Sequence, residues 1–179
     1  MPDRGRHKAR RRAVDLLFER SKFVWTTSGR NYRLNLGNGQ AVVCSPSGDG
    51  YSVLLVGKTG TAALTESPLP LGYATGTAED FVRRTASAAF VDKEAKWRTY
   101  LASEKQLVLL RRMGISHSKN ITRGEAALLI DKAVSDAPAT RKQIWLIKKC
   151  GLHVNPRTLT KQEATVLISQ YKSGIGATA

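Results

Sequence analysis

Two short stretches carry the residues best able to do chemistry. Lys105, Val108, Arg111 and Arg112 fall on one arc of a predicted helix. Lys142, Trp145, Lys148 and Lys149 fall on the same arc of a second. Ammonium and guanidinium groups at this spacing suit phosphate oxygens, and an indole among lysines suits stacking on a base. Arg123 and Lys161 are likewise equivalent, each at the start of the helix that follows. A cation there opposes the helix dipole unless an anion is bound. Four basic positions are therefore duplicated, and contacts of this kind position a nucleic-acid backbone rather than read its sequence. The alternative is a solvated charged face, with Trp145 packed on a neighbouring element.

Other chemistries find less support. Val56-Gly57-Lys58-Thr59 ends like a phosphate-binding loop, but the glycine required five positions before Gly57 is Ser52, inside a predicted strand. No backbone nest can form there, and the pattern predicts a plain hairpin turn. His117 and His153 lie in equivalent loops without an acidic partner at a recognisable spacing, so no metal site is expected. Scattered acids argue against two-metal nuclease chemistry. Cys150 occupies the place of Met113 and reads as a small core residue, not a nucleophile. No enzyme signature and no cofactor motif is present, and the expectation is a non-enzyme.

Charge sharpens this reading. The 179 residues carry 29 Lys and Arg against 14 Asp and Glu, a net +15. Residues 1–22 hold net +5, residues 23–95 are neutral, and residues 96–179 hold net +10. A neutral middle between two basic ends points to polyanion-binding surfaces, most often for nucleic acid. Cys44 and Cys150 give no disulfide framework, which fits a reducing, cytoplasmic setting. No apolar run is long enough to span a bilayer, the start lacks the apolar core of a signal peptide, and no membrane partner is expected.

The elements that must hold the basic residues are repeated. Lys105-Gln106 and Gly114 recur 37 residues on as Lys142-Gln143 and Gly151. Thr122, Glu125, Ala126 and Ile130 recur 38 residues on as Thr160, Glu163, Ala164 and Ile168. Each unit reads as a helix ended by a left-handed glycine, a loop, and a second helix opened by a Thr-x-x-Glu capping box. The repeats span about 103–133 and 140–171. The wheel places Gln106, Leu109, Leu110 and Met113 on the inner face of the first helix, and Gln143, Leu146, Ile147 and Cys150 on that of its counterpart. Ala126, Leu129, Ile130 and Ala133, with Ala164, Leu167, Ile168 and Tyr171, form the inner faces of the second helices. The two glutamines are expected at the core edge, bonded to loop backbone.

Upstream, Tyr32, Leu34 and Leu36 alternate with Arg33 and Asn35 in a half-buried strand. Gly37-Asn38-Gly39 turns into a strand at 41–44, 46–50 is a loop, and strands follow at 51–56 and 61–65. Thr77 reads as the N-cap of a helix to about Val91, with Val82, Ala86, Ala89 and Phe90 on its apolar face. The fold class is α+β: a small antiparallel sheet with one packed helix over 23–95, preceded by a basic amphipathic helix in 1–22 and followed by two helix–loop–helix repeats in 96–179.

Two segments resemble known families. Trp97-Arg98, 102–106, Leu109-Leu110-Arg111-Arg112-Met113-Gly114-Ile115 and 122–130 resemble the tail appended to some bacterial DEAD/DEAH-box helicases and phage proteins. The second helix of each unit is also similar to a SAP-type DNA-binding hairpin. That resemblance implies contact with DNA or RNA, and the helicase motor is absent. Residues 6–19, from Arg6-His7-Lys8 through Arg10-Arg11-Arg12 to Leu16-Leu17-Phe18-Glu19, resemble the first helix of transcription antitermination factor NusB. That second resemblance implies RNA contact through Arg6, Lys8, Arg10, Arg11 and Arg12; otherwise Leu16, Leu17 and Phe18 dock on the sheet.

The expected function is a nucleic-acid-binding accessory protein that grips the phosphate backbone, largely without regard to sequence, beside a helicase or transcription complex. The alternative is a NusB-like factor acting mainly through protein contacts and RNA.

Overall fold

A computed structural model describes residues 14–15, 17–37, 39–57, 60–85 and 88–172. A helix with described residues 14–15 and 17–20 (α1) leads into five strands: Trp25–Ser28 (β1), Asn31–Gly37 (β2), Gln40–Ser47 (β3), Gly50–Gly57 (β4) and Gly60–Ala63 (β5). Each strand pairs antiparallel with the next, in the order β1-β2-β3-β4-β5. Gly37 and Gly39 flank the β2–β3 turn with φ of 78° and 79°, as the hairpin reading requires. The expected loop at 46–50 is tighter than that. Ser47 pairs with Gly50 across a two-residue turn, so β3 and β4 run on through the predicted loop.

The next helix starts earlier than its sequence suggests. It spans Leu71–Arg84 (α2), with Pro70 as N-cap, and a separate short helix follows at Ala88–Val91 (α3). Thr77 is not a cap. It sits inside α2 and donates its hydroxyl to the Tyr73 carbonyl at 3.0 Å. Proline at a helix entrance fits the fixed φ of the first turn, so Pro70 admits the helix instead of stopping it. The buried face is Ala74, Ala78 and Val82; of the predicted face Val82 is buried, Ala89 and Phe90 are exposed, and Ala86 lies outside the described residues.

Strand alternation sends side chains to two different interiors. Leu34, Leu36, Val42, Cys44, Tyr51 and Val53 meet α2 on one face. Burial there pushes the Cys44 thiol up to about 12, which leaves it unreactive. The other face carries Ala41, Val43 and Leu54, covered by Val166 of the last helix. Arg33 and Asn35 belong to this second face, and the structure corrects the half-exposed reading of β2. Arg33 Nη1 donates to Ser135 Oγ and to Gln162 Oε1, each at 2.6 Å. Arg33 Nη2 lies 3.3 Å from Asp131 Oδ1, and Asn35 Nδ2 donates to the same oxygen at 2.7 Å. Burial pushes the Asp131 carboxyl above its ordinary range although Arg33 opposes the shift, and burial lowers the Arg33 guanidinium. Helices therefore lie on both sides of the sheet.

Phe18 of α1 also docks on the sheet. Its ring stacks on Trp25 with centroids 5.1 Å apart and meets Tyr32 edge-on at 5.1 Å. Leu16 lies outside the described residues, and Leu17 is half-buried.

Candidate nucleic-acid interface

After a 3-10 turn at Lys96–Thr99 (η1), the basic residues ride on two helical hairpins. Glu104–Arg112 (α4) packs with Arg123–Asp136 (α5), and Arg141–Lys149 (α6) packs with Lys161–Lys172 (α7). The same local chemistry builds both. Gly114 and Gly151 take φ of 67° and 73°. Their N–H groups bond the Arg111 and Lys148 carbonyls, while Ile115 and Leu152 N–H groups bond the Leu110 and Ile147 carbonyls. That pair of bonds satisfies the last turn and drives the following apolar residue into the core. Both Thr-x-x-Glu boxes form: Thr122 with Glu125, and Thr160 with Glu163.

Two further boxes went unread although their signal was present. Ser103 caps α4 with Gln106 at N3, and Thr140 caps α6 with Gln143 at N3. Each glutamine then donates its Nε2 to the first residue of the partner helix, Gln106 to the Arg123 carbonyl and Gln143 to the Lys161 carbonyl, both at 3.1 Å. These side chains fix the two helix N-termini, and the cations on them, beside one another.

Glu125 accepts bonds from the Thr122 backbone and hydroxyl, which holds its carboxyl below the ordinary carboxylate range. A folded-state value below the unfolded one stabilises above the unfolded pKa and is lost as pH falls through the folded one. Glu125→Gln should therefore flatten the acid limb of a stability–pH profile below about pH 4.3, where an unperturbed glutamate protonates. Urea unfolding at a series of pH values checks it.

Ala126, Leu129 and Ile130, with Ala164, Leu167 and Ile168, lie in the cores as expected, but the buried face of the first helices is turned by about one position. Leu107, Leu110 and Ile115 pack with Ile121 and Ala126 in the first hairpin, and Ile144, Ile147, Leu152 and Val154 with Leu159 and Ala164 in the second. Leu109 and Met113, read as core, are exposed, as is Tyr171. Cys150 is half-buried. These short helices have room for only one fully buried residue each, Leu110 and Ile147.

The cations face outward. Lys105, Arg111, Arg112, Arg123, Lys142, Lys148, Lys149 and Lys161 are all exposed. Trp145 is 62 % exposed and is not packed away; Lys149 Nζ lies 5.2 Å from its ring centroid. Lys105, Val108, Leu109 and Arg112 line a shallow groove along α4 with Glu104, about 440 Å³ in volume. Trp145 stands where the first hairpin has Val108. Arg123 is partly engaged, with its guanidinium 5.6 Å from the Tyr100 ring centroid. Arg6, Lys8, Arg10, Arg11 and Arg12 lie outside the described residues.

Tyr100, which sequence patterning does not single out, adjoins this surface. Trp97, Arg98 and Tyr100 gather at the base of the first hairpin, where Arg98 packs on Gly124 of α5. Burial lowers the Arg98 guanidinium, with Asp92 opposing. A Cβ on Gly124 would lie 2.9 Å from the Arg98 Cβ and 3.1 Å from its carbonyl oxygen. Gly124→Ala should cost about 1–3 kcal/mol through overpacking, read as a lowered midpoint in urea unfolding.

Among the described residues, no three His, Cys, Asp or Glu side chains come together as metal ligands. Gly57 pairs with Gly60 across the β4–β5 turn, a hairpin; Lys58 and Thr59 lie outside the described residues. No described helix is long and apolar enough to cross a membrane.

The family described as mitochondrial helicase Irc3, C-terminal domain, matches residues 8–137. The match takes in residues 8–19 of the segment that resembles NusB, the whole sheet and the first hairpin, and it ends before the second hairpin. No curated protein and no solved structure matches the chain.

Proposed function

This chain belongs to the family of the C-terminal domain of mitochondrial helicase Irc3, and we propose that it is a non-enzymatic accessory module that grips the phosphate backbone of nucleic acid. A helicase C-terminal domain is not the motor, and its place is beside the strands that a motor handles. The observation that carries the reading is the duplicated basic surface. Lys105 and Lys142, Arg111 and Lys148, Arg112 and Lys149, and Arg123 and Lys161 are equivalent pairs, and all eight are exposed. The caps, glycine termini and glutamine cross-links around them are duplicated too.

Cations separated by seven positions on one helix stand about 10 Å apart, a reach that spans neighbouring phosphates. Trp145 adds an open aromatic face beside Lys149, suited to a base. The second hairpin, outside the family match, extends the same grip. Backbone contact predicts little preference for sequence. The basic N-terminal residues Arg6, Lys8, Arg10, Arg11 and Arg12 add charge to the same task. Labelled single-stranded DNA, duplex DNA and RNA titrated with the chain at low salt should show saturable binding to at least one of the three. Absence of binding to all three removes the proposal.

A further inference from the structure

Between the sheet and the first hairpin, two guanidinium groups lie over aromatic rings, Arg98 over Trp97 and Arg123 over Tyr100. Phe90 stacks on Trp97, with centroids 5.0 Å apart and 16° between planes. The Arg98 guanidinium lies 5.0 Å from the centroid of the Trp97 ring. Arg98 packs on the backbone at Gly124, and Arg123, the preceding residue, lies over Tyr100. Trp97 Nε1 donates to the Ala89 carbonyl at 3.3 Å, which fixes the indole. Tyr100 is open to solvent, 54 % exposed, and so is Leu101 at 66 %.

The backbone under Tyr100 is pinned. Its carbonyl accepts from Arg123 N–H at 2.7 Å, Leu101 bridges Thr122, and Ala102 N–H donates to Ile121 at 2.9 Å. An exposed ring on a fixed backbone loses little freedom when something stacks on it. The second hairpin keeps the backbone bond but not the ring, since Lys161 N–H donates to the carbonyl of Ala137. The aromatic feature is thus particular to the first hairpin.

We propose that Tyr100, buttressed by Arg123, is a base-stacking platform for single-stranded nucleic acid. It rests on the phosphate-grip reading and adds strand selectivity to it. An unpaired base offers a free π-face, whereas a duplex keeps its bases stacked inside. Lys105 is at hand for the flanking phosphates, because its neighbour Gln106 is bonded to the Arg123 carbonyl. The guanidinium groups of Arg98 and Arg123 over the rings match a polyanion that also carries aromatic bases.

The test compares the full chain with Tyr100→Ala and Tyr100→Phe. Fluorescence anisotropy is read with a labelled mixed-sequence single-stranded DNA and its duplex. Tyr100→Ala should weaken single-strand binding about tenfold, as loss of one stacked base does, and leave duplex affinity and the salt slope unchanged. Tyr100→Phe should bind like the parent. Tyr100 is exposed, so thermal melting should not move. Equal loss on both DNAs, or no loss on the single strand, overturns the platform while leaving the phosphate grip standing. Loss of binding to an acidic peptide, with single-strand affinity intact, overturns it in favour of a protein ligand. Failure of the grip itself shows separately, as salt-independent binding or no binding by the parent chain.

Discussion

Lys148→Glu combined with Lys149→Glu should weaken nucleic-acid binding on the order of tenfold or more, and should cut the salt slope by about two. Each lysine that touches a phosphate releases a condensed counterion, so removing two contacts removes two released ions. Both side chains are exposed in the last turn of α6, and Lys149 sits over Trp145. The reversal therefore also places a negative charge beside the exposed indole of Trp145. Lys148→Gln with Lys149→Gln separates the two effects: neutralisation should lower the slope similarly but cost less affinity. Cations in the last turn favour the helix dipole, so helicity by circular dichroism belongs in the comparison. Unchanged affinity in the charge-reversed chain would remove the C-terminal face from the binding surface.

Asp131→Ala should destabilise the fold by about 3–5 kcal/mol, a large share of the roughly 5–15 kcal/mol of an ordinary domain. The carboxylate joins the sheet to the helical hairpins. It faces Arg33 and Asn35 from β2, and Thr26 Oγ1 donates to it at 3.3 Å from β1. Its removal strands the Arg33 guanidinium, whose side chain is only 14 % exposed. The pair itself is not the source of the stability, because burial costs both charges more than pairing returns. Replacing both, as Arg33→Met with Asp131→Leu, should therefore recover part of the loss, with Ser135 and Gln162 still lacking their partner. Urea unfolding of the two single variants and the double completes the cycle. Burial raises the folded-state pKa of Asp131, so the part of the stability linked to its ionisation is full below the unfolded value and is lost as pH rises through the folded one.

Much of this architecture was legible because local rules decide it. The turn glycines Gly37, Gly39, Gly114 and Gly151 all take positive φ, and the boxes at Thr122 and Thr160 form as their spacing requires. The repeat, strands β2 to β5 and the outward-facing cations follow from periodicity alone, whereas β1 carries no pattern that marks it. What failed depends on tertiary partners. Arg33 and Asn35 alternate with leucines in a pattern that reads as solvent, but the hairpins cover them. Leu109 and Met113 were placed inside because a nine-residue helix leaves the wheel poorly anchored, and the cap boxes at Ser103 and Thr140 would have fixed its phase. Thr77 offers a cap signal that Pro70, seven residues earlier, pre-empts. The Tyr100 cluster spans separate elements, from Phe90 to Arg123, and no window of sequence shows that they meet.

The central claim is that the chain holds nucleic acid by its phosphates. The most direct measurement is the affinity for labelled single-stranded DNA, duplex DNA and RNA across a series of salt concentrations. With at least four phosphate contacts, log K should fall against log salt with a slope steeper than about −3 on a duplex, somewhat shallower on a single strand. A flat profile, or no binding at low salt, would contradict the account and leave the +15 charge to solubility or an acidic protein partner.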